Sequence, residues 1–381
     1  MSEPRLFDKN GYVNIGWIVS CGCPFIVILG SRGTGKTYTI LNHFLDKKEE
    51  IIFIRRTKTQ MQMLSTRDGN PYKVLNRDKQ LQIIPKPSKD YCLFSNSHLE
   101  TDEHDNTKEV TDEQVCFASS LATFYNLRGF DGSNYNTIFM DEIIPEPLER
   151  VRKGEGKAFL NLYETVNRNR ELNGKKPVQA ILAGNTDTLN SEILQAIGAI
   201  EVIERMKAKG QDVYINKDTG LAVFDLKDSP IAKKKMNTAL YKIANNQDFI
   251  DMAIKNEFAD LRDAKDIKSM PLNEFRPIFS LNNQVCVYAH KSKDIWYVCK
   301  HISGNPLNYN FNMSEDVIRY KRMFGNTVLV KVVAHNLYFE SFDTKMIFKN
   351  ITELWLCAQE DIDLRPKNKP RKGGKGLMFD P

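Results

Sequence analysis

Phe25-Ile26-Val27-Ile28-Leu29-Gly30-Ser31-Arg32-Gly33-Thr34-Gly35-Lys36-Thr37 decides the fold of the first half of this chain. The apolar run before Gly30 reads as a buried strand, residues 30–37 fill every fixed position of G-x-x-x-x-G-K-[ST], and Tyr38-Thr39-Ile40-Leu41-Asn42-His43-Phe44 continues as a helix. Glycines let successive N–H groups point at phosphate oxygens. Lys36 adds charge at the β- and γ-phosphates, Thr37 offers a hydroxyl to Mg2+, and the helix N-terminus favours an anion. Gly30, Ser31, Arg32, Gly33, Thr34, Gly35, Lys36, Thr37 and Tyr38 are the expected ATP contacts. A plain glycine-rich turn with a solvated lysine is the bland alternative, and the strand before it and the helix after it weigh against that.

A bound triphosphate needs a carboxylate on a neighbouring strand to hold its metal. Tyr135-Asn136-Thr137-Ile138-Phe139-Met140-Asp141-Glu142 is an apolar strand ending in two acids. That places Asp141 beside Mg2+ and makes Glu142 the candidate for polarising the attacking water. Two surface acids at a strand end would look the same alone; with the loop upstream, hydrolysis is the expected chemistry. Ile51-Ile52-Phe53-Ile54 runs into Arg55-Arg56-Thr57-Lys58, and Val178-Gln179-Ala180-Ile181-Leu182-Ala183 runs into Gly184-Asn185-Thr186. Asn185, at a strand end near the γ-phosphate, is the candidate sensor of hydrolysis, although any loop asparagine reads alike. Residues 161–170 read as a helix ending in Arg168 and Arg170. An arginine reaching a γ-phosphate, from its own chain or a neighbour's, is worth about 10³–10⁵ in rate. A solvated helix end, where arginine suits the dipole, is an equal alternative. Strands alternating with helices imply an α/β fold: a parallel sheet, helices on both faces, and ligand at the strands' carboxyl ends.

With 381 residues the chain is long enough for two or three domains. No apolar run approaches a bilayer span, and Met1-Ser2-Glu3-Pro4-Arg5 has no signal-peptide pattern. Seven scattered cysteines argue for a reducing compartment, and Cys21-Gly22-Cys23 has no second pair at zinc-finger spacing. A soluble protein with no membrane partner is expected. The net charge of +6 suits a polyanionic partner without demanding one.

These residues, in this order, resemble the DNA-packaging ATPases of phi29-like bacteriophages, small relatives of the large terminase subunits of tailed viruses. The similar stretches are Val27 to Tyr38, Ile52 to Lys58, Thr137 to Glu142 and Arg168-Asn169-Arg170-Glu171, within about residues 20–190. Arg32 inside the loop and the strand ending Arg55-Arg56 are the most specific marks. The resemblance implies an ASCE, RecA-like P-loop ATPase that uses ATP and Mg2+. It implies a homopentameric ring that drives double-stranded viral DNA through a portal into a procapsid. By residue, it implies phosphate and metal roles for Lys36 and Thr37, metal and water roles for Asp141 and Glu142, and a trans-acting role for Arg168. Lys58 becomes a second trans-acting candidate. Asn185 falls where terminases couple hydrolysis to motion, but Gly-Asn-Thr departs from the more usual Ser/Thr-led version. Arg128, in Leu127-Arg128-Gly129-Phe130, and Arg152, Lys153 and Lys157, in the basic segment 150–157, fall where loops would face DNA. Exposed cations on glycine-permitted backbone suit sequence-blind contact with phosphates; a solvated surface loop explains them nearly as well.

The expected organisation is an ATPase domain over 1–228 with a β-rich insertion at about 66–125, a helical linker over 229–270, a ribonuclease-H-like α/β domain over 271–364 and a basic flexible tail over 365–381. In the insertion, Tyr72-Lys73-Val74-Leu75 and Gln80-Leu81-Gln82-Ile83-Ile84 read as short strands, and residues 101–113 as an acidic loop. In the linker, Met236, Leu240 and Ile243, then Ile250, Ile254 and Phe258, suggest two short amphipathic helices, serving as a hinge or as a packed hairpin. Beyond Phe275, the runs 278–281, 285–289, 295–299 and 327–333 read as strands, with a helix from Ser314 through Lys321. Three strands, a helix and a strand resemble the start of a ribonuclease-H-like domain, the nuclease of large terminases. That chemistry needs acids clustered at strand ends to hold two metals. Here the hairpin strand ends Ala289-His290-Lys291, and Asp294 lies in the turn. The expectation is a vestigial nuclease fold that docks the motor on its portal or on a bridging nucleic acid, RNA included. A terminase with an active nuclease using Asp294, and a nucleotide-gated DNA-binding adaptor that does not translocate, are the alternatives. The tail from Arg365 to Gly376, basic and rich in Pro and Gly, either tethers phosphate backbone or solubilises the chain end. The implied place of action is the host cytoplasm, transiently at the portal vertex.

Overall fold

A parallel strand covered on both faces has no polar side to show. Four runs meet that demand: residues 26–29, 51–54, 138–140 and 180–183 are buried at every position. The computed structural model describes residues 6–101, 107–127, 129–145, 154–186, 188–235, 237–243, 258 and 265–352. The chain divides into two compact units, Met1–Lys265 and Asp266–Pro381.

The first unit's strands are β1 (Phe25–Leu29), β2 (Ile51–Arg55), β3 (Ile83–Pro87), β4 (Tyr91–Thr101), β5 (Thr107–Ser120), β6 (Thr137–Asp141), β7 (Gln179–Gly184), β8 (Val213–Asn216) and β9 (Leu221–Asp225). They form one sheet in the order β3-β4-β5-β2-β6-β7-β1-β9-β8. From β5 to β9 the neighbours run parallel; β3, β4 and β8 add antiparallel edges. The expected insertion thus widens the sheet, since β5 pairs directly with β2 from Ile51↔Cys116 to Arg55↔Ser120. β3 closes that side with Pro85 and Pro87 around an exposed Lys86. Most consequential for the chemistry, β7 lies between β1 and β6, so the strand ending at Gly184 separates the phosphate loop from the acidic pair.

The helices are α1 (Ile15–Val19), α2 (Lys36–Asp46), α3 (Lys58–Leu64), α4 (Lys73–Lys79), α5 (Glu155–Asn167), α6 (Glu192–Ala196), α7 (Ala199–Lys209), α8 (Pro230–Lys235) and α9 (Ala239–Ile243). Tyr72–Leu75, expected as a strand, is instead the entry to α4. Asn70 turns the chain there by accepting from the Tyr72 N–H at 2.9 Å, and Tyr72 and Leu75 bury at helical spacing. α8 and α9 belong to the first unit.

Helices α5 and α6 touch at Gly156, where a Cβ would lie 2.5 Å from the Glu192 carbonyl oxygen. Backbone cannot step aside as a side chain can. Gly156→Ala is therefore expected to destabilise the first unit by about 1–3 kcal/mol, read as a lower melting temperature, despite alanine's better helix propensity.

The second unit contains β10 (Phe275–Leu281), β11 (Val285–His290), β12 (Trp296–Cys299), β13 (Leu307–Tyr309) and β14 (Leu337–Phe339), in the order β13-β10-β11-β12-β14. The three middle strands are antiparallel, and β13 and β14 run parallel to β10 and β12 at the two edges. One face packs Phe279, Trp296, Tyr309, Tyr320 and Phe348; the other carries Phe275, Tyr288 and Tyr297. Around the sheet are α10 (Ser314–Tyr320), α11 (Asn326–Val333) and α12 (Phe342–Thr352). Residues 327–333, expected as a strand, form α11. Their β-branched side chains favour extended backbone when read locally, but the chain buries Val328 and Lys331 one turn apart while Val330 and Val333 face outward. Among the described residues no helix is long and apolar enough to cross a membrane.

Candidate active site

The loop between β1 and α2 is tightly specified. Gly35 caps α2 at φ +85°, a conformation costly for residues with a Cβ, and a Cβ there would meet the Tyr12 ring at 2.6 Å. A glycine cap also brings no side chain to the first N–H groups of α2, which suits an anionic ligand. Ser31 and Thr34 are buried and closed on each other, Thr34 Oγ1 donating to the Ser31 carbonyl at 3.0 Å. Arg32 and Gly33 are exposed at the loop's crest. The Tyr38 hydroxyl turns to Asp78 at 3.1 Å, toward α4.

Lys36 is buried, and its ammonium spans the loop. It donates to the carbonyls of Gly30 (2.6 Å) and Ser31 (3.0 Å) and to Asn185 Oδ1 (3.1 Å). The strand order explains the last contact, because Asn185 follows β7 and so stands between loop and acids. Thr37 Oγ1 donates to Asp141 Oδ2 at 2.7 Å. A hydroxyl and a carboxylate brought together are hard oxygen donors, and they fit Mg2+, which takes few protein ligands and keeps its waters. Glu142 sits just past β6 at φ +58°, its N–H donating to Asp141 Oδ1 at 3.1 Å. The sequence reading brings together Lys36, Thr37, Asp141, Glu142 and Asn185, and the structure does the same.

Arg55 completes the cluster. Its guanidinium lies 3.3 Å from Asp141 Oδ2 and 2.8 Å from Glu142 Oε2, over the Phe53 ring. Sequence reading assigns Arg55 no role. Its position depends on β2 pairing with β6, Ile54 opposite Met140, a register that no local pattern announces. Tyr12 against Gly35 is equally unannounced.

Lys58 begins α3 behind a Thr57–Gln60 capping box and pairs with Asp90 at 3.1 Å. The two arginines after α5 differ. Arg170 is a structural staple, donating to Asn136 Oδ1 (2.9 Å) and to the carbonyls of Ser133 (2.7 Å) and Tyr135 (2.8 Å). Arg168 is half exposed at φ +43°, ψ −129°. Its guanidinium rests on the Phe130 carbonyl (2.8 Å) and 3.6 Å from Asp131. Lys157 is exposed in the first turn of α5. Arg128, Arg152, Lys153, the centre of the acidic loop, residues 244–257 and 259–264 of the expected linker, and the tail lie outside the described residues.

In the second unit, Asp294 is paired with the buried Lys331 and accepts from Asn336 at 3.3 Å, which holds its carboxyl below the usual range. Among the described residues no group of three or more His, Cys, Asp or Glu is placed to hold a metal.

No protein-family model and no curated protein matches the sequence. Among solved structures, the chain is similar to the phi28 gp11 DNA packaging motor, with 17% identity and a TM-score of 0.58 over 91% of this chain and 99% of that one. It is similar to the motor in the bacteriophage phi29 viral genome packaging assembly at 15% identity and a TM-score of 0.58, covering 91% and 98%. At such identity the likeness speaks for the fold. The chain shares its fold with the phi28 and phi29 packaging motors: a parallel-rich α/β domain that carries the phosphate-loop sequence, followed by a smaller C-terminal α/β domain.

Proposed function

We propose that this chain is the ATPase of a phage genome-packaging motor, hydrolysing ATP to drive double-stranded DNA into a procapsid. The observation that carries the reading is the meeting of Lys36, Thr37, Asp141 and Glu142 at the carboxyl ends of β1 and β6, on a fold shared over nine-tenths of the chain with two packaging motors. Thr37 and Asp141 would hold Mg2+, which when bound neutralises phosphate charge and orients the leaving group. Lys36 gives its ammonium to the terminal phosphate oxygens. Glu142 orients a water and takes its proton as the water oxygen bonds the γ-phosphorus; the bond to the bridging oxygen breaks, leaving ADP and phosphate. Asn185 feels the change through Lys36, which it already contacts.

In this reading the subunits form a homopentameric ring, and Arg168 completes a neighbour's site. Its backbone supports that role: an arginine held where glycine belongs signals a side chain kept for function. Lys58 is the second candidate. Arg128, Arg152, Lys153 and Lys157 would track DNA phosphates, and the C-terminal unit would dock on the portal or a bridging RNA. The Lys331 partner of Asp294 supports a role other than metal-dependent cleavage.

The test is ATP turnover stimulated by double-stranded DNA, with translocation of a tethered duplex. With one protomer's four cations on the phosphates at a time, apparent DNA affinity should fall about 10²-fold between 50 and 200 mM salt. Turnover indifferent to duplex DNA, or a flat salt dependence, overturns the reading.

A further inference from the structure

Successive residues at a strand end point to opposite faces of the sheet, and Arg55 and Arg56 use that alternation to grip two different elements. Arg55 faces Asp141 and Glu142. Arg56, 1% exposed, faces away and takes Glu155 in a two-point fork, Nε to Oε2 at 3.0 Å and Nη2 to Oε1 at 2.9 Å. Glu155 is the first residue of α5. A second anchor there is Glu192 of α6, whose Oε2 accepts from the Gly156 N–H at 3.4 Å. The far end of α5, 13 residues along and so about 20 Å away, leads directly into Arg168.

We propose that Arg56 and Glu155 are a positioning pair that ties the occupancy of a protomer's own nucleotide site, through α5, to the placement of the arginine it offers its neighbour. The inference rests on Arg168 acting in trans. When Asp141 and Glu142 turn to a Mg2+–nucleotide complex, Arg55 must leave both carboxylates and re-seat, and Arg56 shares its strand end. A buried two-point ion pair is stiff, because the Arg56 side chain is shut off from water and Glu155 has little. The shift therefore passes into α5 rather than being absorbed at the joint. A hollow of about 220 Å³ beside the pair, lined in part by Leu121, Ala122, Tyr125 and Ala158, leaves the start of α5 room to move.

Hydrogen–deuterium exchange on the wild-type assembled motor, with and without Mg2+ and a non-hydrolysable ATP analogue, reads the link directly. Exchange across residues 164–170 is expected to change about fivefold or more on nucleotide binding, and the change to disappear in Glu155→Gln, which keeps size but not charge. Glu155→Gln and Arg56→Lys should leave turnover of dilute, unassembled protein within about twofold. In the DNA-bound assembly they should lower it about tenfold and bring the ATP Hill coefficient toward unity. Wild-type turnover of assembled Arg168→Ala sinks the trans-acting reading itself. Loss of turnover in that variant, together with unchanged wild-type exchange at 164–170 or an unaltered Hill coefficient in Glu155→Gln, sinks the coupling alone. Equal losses in dilute and assembled protein would mark the pair as a structural brace and also overturn the proposal. Should both pair variants fail to fold, the wild-type exchange decides.

Discussion

With Arg168 in the proposed trans-acting role, its replacement by glycine is expected to lower ATP turnover of the assembled protein by roughly 10³–10⁵-fold while leaving the fold as stable as before, or slightly more so. The two effects separate because of the backbone. At φ +43°, ψ −129° a residue with a Cβ carries about 1–3 kcal/mol of strain, whereas glycine gives back only about 0.5–1 kcal/mol through its greater freedom when unfolded. The substitution removes exposed hydrogen bonds to the Phe130 and Thr165 carbonyls and a loose approach to Asp131, none of which holds much against water. Arg170→Ala should behave in the opposite way, since it strips the loop carbonyls of Ser133 and Tyr135 of their donor and lowers the melting temperature. Calorimetry beside turnover as a function of protein concentration distinguishes the two. A stable Arg168→Gly variant that hydrolyses ATP at the wild-type rate when assembled would remove the trans-acting arginine from the mechanism.

Glu142→Gln should cut turnover by about 10²–10⁴-fold while ATP still binds. The amide keeps the size of the side chain but cannot take the water's proton, while Lys36 keeps its contacts with the loop and Asn185, and Thr37 its contact with Asp141. Arg55 keeps one of its two charged partners, so the ground state loosens rather than collapses. Lys36→Ala should fail earlier, at binding, because its ammonium spans the loop from Gly30 to Asn185. Equilibrium nucleotide binding beside single-turnover hydrolysis separates the variants; weak binding in Glu142→Gln would show that the acid holds the nucleotide rather than the water.

Much of this site is legible in the sequence because its parts are local. A strand, eight loop residues and a helix adjoin in the chain, and an apolar strand ends in its own two acids, so pattern and chemistry coincide. Asn185 is readable for the same reason, at the end of a buried run. Arg55 is not: its partners lie 86 and 87 residues away, and only the pairing of β2 with β6 brings them together. Glu155 is hidden likewise, on a helix whose apolar face is easy to see but whose docking is not. The errors have a physical pattern too. Residues 72–75 and 327–333 are short β-branched or aromatic stretches whose local preference yields to packing in α4 and α11. Arg168 and Arg170, alike on paper, are told apart only by what each guanidinium touches.

The outer margin of the first unit's sheet ends in Ile83-Ile84-Pro85-Lys86-Pro87. Two imino nitrogens remove the donors that a visiting strand would need, and a cation between them adds desolvation cost. Copies of this chain therefore have no easy way to stack rim upon rim into an open-ended fibre from that side. Any association there is left to side chains, contacts that can be made and released without unzipping backbone.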